Sequence, residues 1–185
     1  MQSEQQVKQT SAPITNKPEK FIGLRKFHYY FLMFAVVLVP FWFAFGSYIL
    51  GAPAGYGLLA SMIFFSPILL IYQVIILSLT LMNRKSKENK KVSLVVGVLL
   101  SVYYFSLVMY KLITGDTGGN IDTADSLKQY NSVSTNLLGV EIGNYLASFA
   151  GIVLIIITIL AITIFVVLLA ELVTKKDNKI PLADI

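Results

Sequence analysis

Few side chains in this chain are suited to chemistry, and their spacing gives little support to catalysis. Asp116, Asp122 and Asp125, with the Asn120 amide oxygen, gather in one polar stretch and offer oxygens for a hard cation or for acid–base work. A calcium loop of the EF-hand type places an oxygen ligand at its third position and a glycine at its sixth. Counted from Asp116, those places hold Gly118 and Ile121, so the stretch reads as a solvated turn with helix-capping carboxylates. His28 is the single histidine and there is no cysteine, which removes multi-histidine metal centres, thiolate sites and disulfides. No phosphate-cradling loop, nucleophile elbow or zinc-protease helix pattern occurs. No cofactor or metal is therefore expected, and an enzyme built from this sequence would have to use the outer-loop aspartates.

A second set of polar residues stands alone in apolar surroundings. Gln73, Ser101, Tyr104 and Thr163 each interrupt a long hydrophobic run. Counted at about 1.5 Å per residue from the ends of their runs, they fall at a common depth. An amide facing hydrocarbon leaves donors and acceptors unmet at a cost of several kcal/mol. Gln73 is thus expected to turn inward and bond to Ser101, Tyr104 or Thr163, as structural glue or as a polar constriction in a path. The cores of the runs carry no charge, and Lys111 and Glu171 are placed at run ends, within reach of headgroups and water. Gly139, Gly143, Ala147 and Gly151 recur every fourth residue and read as one close-packing face.

The elements that must position these residues follow from hydropathy. The chain has 185 residues, 56% hydrophobic and 14% charged, with a mean hydropathy of +0.71. A soluble domain has about 45–50% and about 25%. Four apolar runs, about 27–50, 56–82, 92–113 and 142–173, are each long enough to cross roughly 30 Å of hydrocarbon. Pro40 and Pro67 lie inside the first two, as tolerated kinks. The first run is too long, and its leader too extended, for a cleavable signal peptide.

Residues 1–26 form a disordered and basic N-terminal segment, ending in a mixed apolar and basic stretch suited to a membrane surface. The stretch 83–91 is a basic island between two hydrophobic hairpins, and 174–185 is a Lys-rich tail. With four crossings these three segments share one side. They hold all but Lys111 and Lys128 of the 15 Lys and Arg residues, so the positive-inside rule puts both termini in the cytoplasm. The net charge of +5 then points to anionic headgroups of the inner face rather than to nucleic acid. In the loop before the last run, Asp122 or Thr123 could cap a short surface helix carrying Leu127, Tyr130, Leu137 and Leu138 on one side.

The sequence thus predicts an all-α fold: a four-helix transmembrane bundle, N-in and C-in, in a plasma (cytoplasmic) membrane, with a short outer helix between spans three and four. Its functional reading is a non-enzymatic multi-pass protein acting through helix–helix contacts, as an accessory, assembly or immunity-type protein. The packing face would meet a membrane-protein partner or a second copy. A small oligomeric channel or carrier is the alternative, and an intramembrane enzyme the third reading.

Overall fold

The structure is a computed structural model that describes residues 21–51, 56–114 and 132–177. The described residues are helical, and four helices are long and apolar enough to span a bilayer. The first is α1 (Ile22–Ile49). The second runs through α2 (Tyr56–Ala60), a π-helical turn (Ser61–Phe65) and α3 (Ser66–Met82). After α4 (Arg84–Asn89) comes the third span, α5 (Leu94–Ile113). The short helices α6 (Val133–Leu138) and α7 (Val140–Ala147) precede the fourth, α8 (Ala150–Asp177).

Each boundary has a local cause. The Pro67 ring cannot tolerate the carbonyl four residues back, and the chain answers with a wider turn just before it, in which the Ser66 N–H bonds to the Ser61 carbonyl. Ser61 is the one residue of that turn that is buried. Ser93 caps α5 by accepting from the Val96 N–H, and Lys90, in the left-handed region at φ 49°, ends α4.

The spans pack as a ring: α1 lies against α3 and α5, and α8 lies against α5 and α3. Consecutive spans α3 and α5 therefore sit across the ring from each other, and the basic stretch crosses that diagonal as α4 and its linker. The linker is stitched to α1 by reciprocal bonds. Arg25 Nε donates to the Val92 carbonyl at 2.9 Å, and the Val92 N–H donates to the Arg25 carbonyl at 3.2 Å. Leu32, Ala35, Ile76, Val96, Leu100 and Ile164 form the centre of the core, and each is at most 1% exposed. In lipid such packing and a few interhelical hydrogen bonds, rather than water exclusion, hold helices together.

Two expectations about the fourth span change. The run expected at 142–173 is two helices, with a turn at Ser148–Phe149 between α7 and α8, and the span itself begins at Ala150. Gly139 closes α6 and opens α7 at φ 90°, so the small-residue stripe does not share one helix. The expected surface helix with Leu127 and Tyr130 lies outside the described residues. Nearer the fourth span, Ser132 caps α6 in a reciprocal box with Thr135, and α6 leaves Leu137 and Leu138 exposed.

Candidate functional site

A polar layer crosses the ring part-way along the spans. Gln73 on α3 is 1% exposed, and its Oε1 accepts from the Tyr104 hydroxyl of α5 at 3.2 Å. Ser101 and Thr163 do not reach it. Ser101 Oγ lies 2.7 Å from His28 Nε2 of α1 and donates to the Gly97 carbonyl at 3.0 Å. Thr163 bonds back to the Ile159 carbonyl of its own helix at 2.8 Å. α8 enters the layer instead through its backbone, because the Tyr72 hydroxyl donates to the Ala161 carbonyl at 2.9 Å.

Beside Tyr29 and Tyr30 at the inner end of the first run, His28 is expected in a structural or lipid-contact role; the structure buries it between α1 and α5, in agreement with the structural one. Ser101 has one hydroxyl proton, and it is directed to Gly97. His28 Nε2 must then carry the hydrogen in the 2.7 Å contact, which leaves Nδ1 without a hydrogen-bond partner among the described residues. Tyr104 links the two halves of the layer, 6.2 Å from the His28 ring and edge-on to Phe31 at 5.1 Å.

The α1–α5 contact does have a signal in the sequence: Ser93, Gly97 and Ser101, small residues at four-residue intervals from the cap of α5 inward. It is shorter than the later glycine stripe and has a single glycine, so it stands out less. A Cβ on Gly97 would meet Val92, His28 and Arg25 at 3.5–3.9 Å, which marks Gly97 as the point where α1 crosses.

The second feature corrects an expectation in part. Lys111, expected at a span end within reach of headgroups and water, does lie in the last turn of α5 but is buried there at 7% exposure. Its Nζ donates to Ser61 Oγ of the π-helical turn at 3.1 Å and stands 4.5 Å from the centre of the Phe43 ring. Its backbone carbonyl accepts from Ser47 Oγ at 2.9 Å, which ties α1 to the same end of α5. Phe43 stacks on Tyr110 at 5.6 Å, so the ammonium is enclosed by aromatic and hydroxyl groups from three elements.

Of the small residues, Gly143 is buried against Thr135, Ala147 is half-buried, and Gly139 and Gly151 are exposed with open space where a Cβ would sit. Asp116, Asn120, Asp122 and Asp125 lie outside the described residues. Among the described residues no group of three His, Cys, Asp or Glu side chains could hold a metal ion.

Four apolar spans with polar groups turned inward define the class: a multi-pass membrane protein. No protein-family model, curated protein or solved structure shows a significant match to the chain.

The layer yields a direct prediction. In Gln73→Leu the Tyr104 hydroxyl loses its acceptor, but the buried amide nitrogen, which has no hydrogen-bond partner among the described residues, is removed too. The two changes oppose each other, and interhelical bonds in membranes average only about 0.6 kcal/mol. Thermal unfolding in detergent should shift by less than about 1 kcal/mol in either direction. A change in solute or ion flux with the fold intact would instead make Gln73 a constriction.

Proposed function

We propose that this chain is a non-enzymatic integral membrane protein that acts through helix–helix contacts, as an accessory, assembly or immunity-type protein of the cytoplasmic membrane. The observation that carries the reading is where its polar side chains bond. His28, Tyr72, Gln73 and Lys111 all find partners within the chain, so the outward faces of α3 and α8 are left to side chains such as Ile68, Ile71, Ile155 and Ile159. Faces of this kind meet lipid or another helix by close packing and offer no aligned polar groups to a soluble substrate. Co-purification in mild detergent tests the proposal. A stoichiometric membrane-protein partner supports it. Catalytic turnover of a lipid or solute by the isolated chain would end it.

A small channel or carrier is the second reading, favoured by Lys111. A cation enclosed within a span is the usual mark of a substrate or ion path. Flux in proteoliposomes separates the two readings.

The proposed orientation has both termini and the α4 stretch in the cytoplasm. Support comes from the basic residues, and from Arg25 near the start of α1 and Glu171 near the end of α8 lining one cavity. The chain has no cysteine, so Lys87→Cys and Asp122→Cys introduce unique thiols. An impermeant maleimide on intact cells should label position 122 and spare position 87; the reverse pattern inverts the topology.

A further inference from the structure

The helix α7 occupies the stretch that hydropathy reads as the opening of the fourth span, and its place in the fold gives it another role. Glu171 of α8 accepts from Asn83 at 3.1 Å, at the junction of α3 and α4 where apolar chain gives way to polar. From Ala170 back to Ala150, α8 has no charged residue, and at 1.5 Å per residue this length measures about 30 Å, the thickness of a hydrocarbon core. α8 is thus long enough to cross by itself, which leaves α7 at the edge of the hydrocarbon. We propose that α7 is an interfacial helix, lying along the membrane boundary at the end of the ring opposite α4. Lipid would lie against Ile142, Tyr145 and Phe149, and water against Glu141, Asn144 and Ser148.

Three observations support this. First, the exposed residues of α7 and the turn after it are sorted. Glu141, Asn144 and Ser148 form one exposed stripe, and Ile142, Tyr145 and Phe149 form a second with the same spacing, about 100° further round the helix. Only Val140, the first residue, is an exposed apolar side chain outside the second stripe. Segregated apolar and polar faces of this kind suit a helix in the interface plane, and tyrosine is a residue favoured there.

Second, the roll of α7 about its axis is fixed. Gly143 is buried against Thr135 of α6, and Ala147, one turn on, is half-buried. The packed sector lies roughly 120° from either stripe, so neither stripe can turn inward. Third, the apolar stripe adjoins a surface already assigned to lipid. Phe149 stands in the turn before α8 with its ring edge-on to Tyr145 at 5.2 Å, and three residues later Ile152 is exposed on the span itself. The helix therefore divides its surface among protein, lipid and water.

Site-directed spin labelling tests the proposal in the full chain, reconstituted into phosphatidylcholine vesicles. Glu141→Cys, Ile142→Cys, Asn144→Cys and Tyr145→Cys each receive a nitroxide, with Ile155→Cys as the hydrocarbon reference and Lys87→Cys as the aqueous one. Collisions with oxygen, which concentrates in hydrocarbon, and with a water-soluble nickel chelate are read by electron paramagnetic resonance.

The oxygen-to-nickel ratio at 142 and 145 should exceed that at 141 and 144 about threefold, because the two faces sit at different depths, and should lie between the references. Equal ratios at all four positions overturn the proposal, and so do ratios at 142 and 145 that match Ile155, which would place α7 within the span. Few collisions with either reagent at 142 and 145 also overturn it, because a second copy or another protein would then cover the stripe. Where labelling unfolds the chain, Tyr145→Trp in a Trp42→Phe background gives a unique fluorophore. Lipid brominated near the headgroup should quench it more than lipid brominated at the chain end; the opposite order, or no quenching by either, overturns the assignment.

Discussion

Replacing Gly143 by leucine should unseat α6 from α7 and produce the largest loss of stability among substitutions in the small-residue series. A Cβ at this position would stand 2.3 Å from Thr135 Cγ2 and 2.5 Å from Thr135 Cα, distances that real Cβ atoms do not reach. The obstacle is backbone as well as side chain, and Thr135 cannot swing aside. Its Oγ1 is bound to the Ser132 N–H and its N–H to Ser132 Oγ, in the box that caps α6. The α6 segment as a whole must shift, and α6 also packs against α5. Overpacking of this kind costs about 1–3 kcal/mol, and more where backbone has to move. Thermal unfolding in detergent should fall by several degrees. Gly151→Leu, with open space around its site, should stay within about 0.5 kcal/mol of the parent. Equal tolerance of both substitutions would show that α6 does not rest on Gly143.

These glycines also show where sequence reasoning stops. The four-residue spacing of Gly139, Gly143, Ala147 and Gly151 is real, but spacing is a statement about a continuous helix. Gly139 holds φ 90° and ψ 162°, a conformation open essentially to glycine alone, so the periodicity crosses a break at its first member. A second break at Ser148–Phe149 separates Ala147 from Gly151. Neither break is marked by proline, although α7, with Glu141 and Asn144, is less apolar than the span that follows.

The four spans are legible because length and hydropathy suffice to find them, and three of the four agree with the helices to within a few residues apart from the early start of α1. Gln73 is legible because a lone amide in an apolar run has few favourable environments, and its bond to Tyr104 joins two residues that the depth count places together. The burial of His28 is not legible, for want of a depth marker. The Phe21–Lys26 stretch, expected at the surface, is helical from Ile22, so α1 begins before the apolar run that starts at Phe27. Ring neighbours α1 and α5 are separated by a whole hairpin in sequence, so nothing local could pair His28 with Ser101.

Lys111 leads to the other large effect, and here the sign carries the information. Ser61→Ala should destabilise the chain by about 1.5–3 kcal/mol, the range for a lost hydrogen bond to a charged group. The ammonium stays between α5 and the π-helical turn while the hydroxyl it donates to at 3.1 Å is gone. Lys111→Met keeps the aliphatic stem and the contact with Phe43 but removes the charge and its desolvation cost, so stability should hold or rise.

The smaller change is thus expected to do more damage than the removal of the cation. A Lys111→Met variant less stable than Ser61→Ala would mean that the contacts of the ammonium outweigh the cost of burying its charge. The same pair of variants bears on function. If Lys111 is structural, flux in proteoliposomes is unchanged in both. If it lines a path, Lys111→Met alters conductance or ion preference in a protein that is at least as stable as the parent, and the channel or carrier reading displaces the first.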